Sequence, residues 1–580
     1  MNEQELHTVR HSLAHLLAAA ALEYDPQAKL GVGPAIDNGF YYDILFEKPL
    51  SENDLPALQK RMKELAKEGL PFTGRVVNKE EALREFPDQP FKKELIDEFA
   101  SEGKELTVYE TGGAFKDLCR GGHVKNTSAI DVSAFELDRL AGAYWRGNEK
   151  NPQLTRIYGL AFENKEKLEE YKAMREEAKL RDHRKLGKEL ELFIIDDIVG
   201  KGLPMWLPKG TIIKDAIEDY AKEMEAKYSY VRVSTPHLAK EDLFLKSGHL
   251  PYYAESMYPP MQMDDGVYYL KAMNCPHHHI IYGMRPRSYR ELPLRLAEYG
   301  TVYRNELSGT LAGLLRVRSL QMNDAHIYCT RDQLKDELRG VLSLTKEYFK
   351  RFGLDNYWLR LSKWDPQHTE KYINEPANWE FAEGVIREIL EESGIPYKEV
   401  ADEAAFYGPK IDVQFTSVIG REETMSTIQL DFAAKKRFDL SYIDNTGKEN
   451  HEVFVVHRAP LSTHERFIAF LIEHYAGAFP VWLAPVQVAV LAINDDVLAF
   501  ANEKFDKLKS AGIRVEMYDG GDSLGKKIRK AKTQKVPYFL VIGNQEAGKG
   551  VVMVESRDKG KIGEQTIETF IEALQIELKQ

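Results

Sequence analysis

A chain of 580 residues with a formal net charge of −12 is long enough for three or four domains, and it is too acidic to coat nucleic acid along its whole surface. Any RNA must therefore be gripped by local basic patches. No apolar run reaches the roughly 20 residues that span a bilayer. The acidic first residues lack the basic-then-apolar order of a signal peptide, and three cysteines (Cys119, Cys275, Cys329) exclude a disulfide framework and point to a reducing cytoplasm.

The first module is read over residues 1–162. His7, His11 and His15 recur every four residues in a segment with helical apolar spacing (Leu6, Val9, Leu13, Leu16, Leu17), so they share one helix face. Such a face is either a plain surface or a pair of imidazoles that holds a metal or a water. Cys119 and His123, in Asp-Leu-Cys-Arg-Gly-Gly-His, add a second pair at the same spacing. Four N/S donors in one module are harder to read as coincidence. Residues 163–192, rich in Lys, Glu, Arg, Leu and Ala with one glycine and no proline, predict a single long solvated helix.

A third segment runs over 193–485. Residues 211–227 predict a helix, and 231–236 predict a strand that ends at Pro236, where no ladder donor is needed. Between Cys275 and His326 lie Arg304, Glu306, Arg316 and Arg318, a density of charge suited to phosphates. The arginines flank Ser308-Gly309-Thr310 as strand, loop, strand, with Gly309 and Gly313 supplying the turn. Cys275, His326 and His457 are far apart in the chain, and on spacing alone they read as core residues as readily as ligands. From 486 onward, apolar runs at 486–493, 513–517 and 538–542 alternate with helical patterns and predict a small α/β domain with a mostly parallel sheet. Lys526, Lys527, Arg529, Lys530, Lys532 and Lys535 crowd one stretch there, either a solvated face or a phosphate-binding patch.

Taken in order, these motifs resemble the threonyl-tRNA synthetase family of class II aminoacyl-tRNA synthetases. The resemblance rests on Arg304-Asn-Glu306 (motif 2), Met273-Asn-Cys-Pro, Asn323-Asp-Ala-His326, His457-Arg-Ala…His464-Glu-Arg466 (motif 3) and Arg181-Asp-His-Arg-Lys-Leu-Gly-Lys-Glu-Leu. It implies a multidomain α+β fold with an antiparallel class II catalytic core, an α+β editing domain and a C-terminal α/β anticodon-binding domain. The implied zinc ligands are Cys275, His326 and His457. Asp324, Tyr407, Lys410 and Gln429 are implied at the threonine pocket, and Arg304, Glu306, Arg316 and Arg466 at ATP, which brings Mg2+ with it. His11, His15, Asp117, Cys119 and His123 are implied to edit mischarged seryl-tRNA. Threonine, ATP and threonine tRNA are the implied partners, and the motif 1 helix and strand imply a homodimer in the cytoplasm. His11 also lies too near the start to leave room for the small ubiquitin-like module that precedes editing domains in many relatives.

The chain departs from the family pattern at several points. Gly122 replaces a usual proline, His277 a glycine, Met322 a glutamine and Asn323 an aspartate, while Ser462-Thr463 stands for Gly-Ser. These changes keep two competitors in view: a paralogue that activates another amino acid, and a catalytically silent RNA-binding descendant. Retention of the ligand set and both motif arginines opposes the second.

Overall fold

The computed structural model describes residues 1–579 except 114, 369, 418, 419, 421 and 520, and divides into compact units at 1–176 and 177–580. In the first unit Asn2 caps the helix Glu3–Tyr24, exchanging hydrogen bonds of 2.9 Å with Glu5 in both directions. The apolar face predicted from Leu6 to Leu17 is buried, continued by Ala18–Ala21. It packs on an antiparallel sheet ordered Lys29–Leu30, Gly39–Leu45, Gln153–Ala161, Phe135–Tyr144. A smaller antiparallel sheet, Phe72–Val77, Leu106–Thr111 and Phe115–Leu118, delivers Asp117 and Cys119 at its end.

The predicted long connector helix is two helices, Lys165–Arg181 and His183–Glu189. Asp182 breaks it: its side chain accepts from the Arg184 backbone N–H at 2.8 Å, a cap that offers the backbone an alternative to continuing the helix. The expected 211–227 helix begins earlier, at Pro208–Lys227, since proline at the first turn costs no intrahelical donor. The strand expected over 231–236 is only Val231–Arg232.

That short strand edges an eight-stranded sheet. Its order continues Leu294–Tyr303, Ser319–Cys329, Phe454–Ala459, Glu422–Asp431, Lys410–Thr416, Tyr357–Ser362 and Tyr397–Val400. The outermost pairs are parallel and all others antiparallel. One buried network ties the sheet to the helix behind it. Arg458 donates to Glu225 at 2.6 Å and to the Asn323 side-chain oxygen at 3.1 Å, with the Tyr230 ring 4.3 Å from its guanidinium. Asn323 in turn donates to Glu225 at 2.9 Å. This accounts for the departure at 323. An amide serves both partners, whereas an aspartate there would set a second negative charge beside Glu225.

Residues beyond 480 form their own core around a sheet ordered Val515–Tyr518, Val488–Ala492, Tyr538–Ile542, Val552–Ser556, Gly560–Gln565. The first three strands are parallel as predicted; the last two add an antiparallel hairpin that the sequence reading lacked. The basic stretch also divides. Lys526, Arg529, Lys530 and Lys532 are exposed on Leu524–Thr533, but Lys527 is buried and donates to the Ala492 carbonyl at 2.7 Å, and Lys535 lies past the helix end. The three cysteines are free, and among the described residues no helix is long and apolar enough to cross a membrane.

Removing one partner of the Arg458–Glu225 pair leaves a buried charge without compensation. Arg458→Met is expected to lower stability by about 3–5 kcal/mol. The double variant Arg458→Met/Glu225→Gln should recover at least half of that loss in denaturant titrations followed by tryptophan fluorescence. A double variant as unstable as the single one would show that the charge is not the cause.

Candidate functional site

A cavity of about 510 Å³ opens on the face of the eight-stranded sheet. At one end Cys275 begins the helix Cys275–Gly283, while His326 and His457 face each other as cross-strand partners on adjacent antiparallel strands. One donor atom from each of the three lies within 4.8 Å of the other two. His326 Nδ1 meets His278 Nδ1 at 2.8 Å, and His278 Nε2 meets Glu298 at 3.0 Å. With the Glu298 carboxylate accepting from His278 Nε2–H, His278 Nδ1 accepts from His326 Nδ1–H and leaves the Nε2 lone pair of His326 free to bind. His457 spends Nε2 on Asp431 at 3.3 Å and keeps Nδ1. Burial holds the His326 imidazole well below its usual range and pushes the Cys275 thiol well above it. A neutral imidazole is ready for a cation, and a buried thiolate needs one beside it. The donor set therefore fits a three-ligand zinc with an open position.

Asp324 lies two residues before His326 on the same face. It accepts from the Asn274 amide at 3.1 Å, and burial raises its carboxyl. The Tyr407 hydroxyl donates to Gln429, and both line the cavity, as does Met322. Lys410 sits opposite Gln429 in the sheet register, but its ammonium lies 3.0 Å from Asp412 and is not part of the cavity wall. His277 is buried with neither ring nitrogen hydrogen-bonded among the described residues.

The other end of the cavity gathers guanidinium groups. Arg316 pairs with Glu306 at 2.8 Å, and Arg466 donates from Nε to the Leu315 carbonyl at 3.3 Å. Arg304 follows the strand Leu294–Tyr303, and its Nε is buried with no partner among the described residues. Burial, and then the charges of Arg304 and Arg316, pull Arg466 below its ordinary value. Three cations, offset in part by Glu306 and Glu423, make a site for a polyanion. Thr463 caps the helix His464–His474 by accepting from the Arg466 backbone N–H at 3.2 Å. Ser462, on the cavity wall, holds φ 54°, a left-handed conformation that glycine adopts without strain and serine does not.

Glu465 was not singled out by sequence. It is buried at the start of that helix, accepts from the Gln321 backbone N–H at 3.0 Å, and is pushed up to about 7 by burial. Its adjacency to Arg466 was visible; its burial was not.

The first unit holds a separate pocket of about 340 Å³. His11 and His15 project from Glu3–Tyr24, while Cys119 and His123 follow the strand Phe115–Leu118. Cys119 Sγ lies 3.3 Å from His11 Nε2 and 3.2 Å from His123 Nε2, and the four donor atoms lie within 4.8 Å of one another. Burial raises the Cys119 thiol to about 12 and lowers His123 to about 2, so the cluster is a set of neutral groups. His7, expected on the same face, is exposed and outside the cluster. Gly122 holds φ 82°, which is closed to proline, so the loop to His123 takes a backbone path that the usual residue would forbid. Asp117 is buried beside the cluster, ion-paired with Lys92 and accepting from the Tyr42 hydroxyl at 2.5 Å. Lys92 also donates to Tyr42 at 3.0 Å. Neither Tyr42 nor Lys92 was anticipated, because no spacing links them to Asp117.

An antiparallel sheet that carries arginines on a strand–loop–strand and on the helix after its central strand defines a class II aminoacyl-tRNA synthetase. Residues 258–475 match the tRNA synthetase class II core domain (G, H, P, S and T), 487–577 the anticodon binding domain, and 106–158 the threonyl and alanyl tRNA synthetase second additional domain. The chain is 47% identical over 580 residues to the threonine–tRNA ligase of Anoxybacillus flavithermus, covering 100% of this chain and 89% of that one. It is 48% identical over 572 residues to threonine–tRNA ligase 1 of Bacillus subtilis, covering 98% and 87%. A crystal structure of the RNA binding domain of threonyl-tRNA synthetase from Cryptosporidium parvum superposes with a TM-score of 0.65 at 33% identity, over 68% of this chain and 98% of that one. The chain belongs to the threonyl-tRNA synthetase family.

The Glu465 carboxyl generates a signed pH dependence. Its folded value, about 7, lies above the ordinary carboxyl range, so its contribution is fully present below about 4.5 and is lost as pH rises through 7. The loss is at most roughly 3 kcal/mol. Melting temperature is expected to fall less between pH 5 and 8 in Glu465→Gln than in the wild type; parallel profiles would contradict the assignment.

Proposed function

We propose that this chain is a threonine–tRNA ligase with a catalytic domain over 193–485, an editing domain over 1–162 and an anticodon-binding domain over 486–580, joined by the connector 163–192. The observation that carries the reading is the meeting, in one cavity, of the Cys275–His326–His457 donor set with Arg304, Arg316 and Arg466. Arg304 steadies the α-phosphate and the substrate carboxylate, Arg466 the γ-phosphate, Arg316 the nucleotide, and Glu306 accepts from the adenine amino group. Magnesium accompanies the ATP. A carboxylate oxygen of threonine attacks the α-phosphorus, the bond to the β-phosphate breaks, and pyrophosphate leaves. A ribose hydroxyl at the tRNA 3′ end then attacks the acyl carbon and AMP departs. Positioning and charge stabilisation supply the rate without a protein nucleophile.

Zinc held by Cys275, His326 and His457 would supply Lewis-acid recognition of the threonine amino group and hydroxyl, which valine cannot satisfy. Asp324 accepts from that hydroxyl, and Tyr407 and Gln429 close the pocket, with Lys410 beside Gln429 on the neighbouring strand. Serine keeps the hydroxyl and lacks only a methyl, worth about 1–3 kcal/mol, too little for faithful translation. The second pocket answers that shortfall. His11, His15, Cys119 and His123, with Asp117, bind and orient a water against the ester of seryl-tRNA. Lys526, Arg529, Lys530 and Lys532 provide an exposed basic face for tRNA phosphates. The free cysteines and the exposed edge strand Val231–Arg232 support a cytoplasmic homodimer.

Amino-acid-dependent ATP–pyrophosphate exchange is expected with threonine, more weakly with serine and barely with valine, and Cys275→Ala should abolish it and release the bound zinc. Exchange led by another amino acid, or none from folded metal-loaded protein, would sink the ligase reading. Separately, His15→Ala and Cys119→Ala should leave threonine exchange within about twofold while seryl-tRNA accumulates, since the two sites draw on different residues. Unchanged hydrolysis of seryl-tRNA in both variants would place editing elsewhere.

A further inference from the structure

The run 181–190 is a sequence hallmark that the chemistry above does not use. It begins at the break between the connector helices, where Asp182 caps His183–Glu189 and so sets His183 as its first residue. The His183 ring is buried, at 3% exposure, and both of its nitrogens are engaged. Nδ1 lies 2.7 Å from Glu473 Oε1 on the helix that carries Arg466, and Nε2 receives the Leu314 backbone N–H at 3.1 Å. A carboxylate only accepts, so the proton sits on Nδ1, and Nε2 presents its lone pair to Leu314. The same Glu473 oxygen also accepts from the His183 backbone N–H at 3.3 Å, which steadies the carboxylate that orients the ring.

Leu314 lies in the loop between Leu294–Tyr303 and Ser319–Cys329, which also carries Arg304 and Arg316, and its neighbours do the nucleotide work. The Leu315 carbonyl holds Arg466, and Arg316 is paired with Glu306. Three consecutive residues are thus tied in turn to His183, Arg466 and Glu306. Gly313 makes the first tie possible: it holds φ 55°, and a Cβ there would stand 2.2 Å from His183 Nε2. The loop is shaped to admit this imidazole.

We infer that His183 is a positioning residue for ATP: its Nε2 holds the Leu314 N–H, and through it the segment 314–316 that sets Arg316 and Arg466 around the phosphates. The inference rests on the nucleotide-site reading above. It assigns a role in the active site to a residue on the connector side of the catalytic unit, in contact with no substrate.

Two amide replacements separate the two faces of the ring. His183→Gln sets an oxygen near the place of Nε2 and can still accept from Leu314. His183→Asn sets its donor near the place of Nδ1 and serves Glu473 alone. Loss of one such hydrogen bond is expected to raise KM for ATP by about fivefold to tenfold in His183→Asn and His183→Ala. KM for threonine should hold within about twofold, and His183→Gln should recover most of the ATP affinity. Melting temperatures are read alongside. Wild-type KM for ATP in His183→Asn overturns the inference, as do ATP losses that follow melting temperature alone across the three variants. Calorimetric titration with ATP reads the same contrast without chemistry. A wild-type chain that binds ATP yet performs no threonine-dependent exchange would therefore sink the ligase reading while still deciding this one.

Discussion

Everything at the catalytic centre depends on the register of one antiparallel sheet. Along Ser319–Cys329 successive side chains take opposite faces. Met322, Asp324 and His326 look into the cavity, while Gln321 and Asn323 reach Glu218 and Glu225 on the helix behind. The neighbouring strand repeats the division, with His457 toward the cavity and Arg458 toward Glu225. Slipping either strand by one residue would send the donors into the apolar core and the core partners into solvent. The buried Arg458–Glu225–Asn323 network enforces the frame, because only this register brings the three groups together. Stability and site geometry are here one constraint seen from two sides of a sheet.

The two ends of the cavity use burial in opposite ways. At the donor end it keeps the His326 imidazole uncharged and the Cys275 thiol protonated, so the centre is quiet until a cation arrives. At the arginine end it concentrates positive charge that Glu306 and Glu423 only partly offset, so the centre is incomplete until an anion arrives. The first unit's pocket follows the donor-end logic, with Asp117 and Lys92 compensating each other beside neutral imidazoles.

Legibility followed the range of the interaction. His11 with His15 and Cys119 with His123 could be read because helix period or loop proximity places residues four apart together. Cys275, His326 and His457 could not be assembled from spacing, since strand pairing over more than 100 residues joins His326 to His457 and a separate helix brings Cys275 to them; only the family motifs grouped them. Tyr42 and Lys92 converge on Asp117 from separate elements and left no trace in the chain order. The break at Asp182 was missed because composition argued for helix on both sides, and a single capping side chain outweighed it. The last hairpin was missed although Val552, Val554 and Ser556 alternate inward, since a parallel pattern had already been set by the three strands before it. Lys527 shows the converse error, a charge counted as surface whose ammonium is consumed by the Ala492 carbonyl.

Ser462 has a consequence for inhibitor chemistry. The family pattern sets a glycine at this turn, a bare stretch of backbone on the cavity wall. Here a side chain stands on the same wall, held in place by the turn itself. A nucleotide-mimicking compound grown flat against that wall would fit relatives with the glycine and collide here. One carrying an acceptor matched to the hydroxyl would discriminate in the reverse sense. The strained turn thus gives this chain a handle for selectivity on one wall of the pocket.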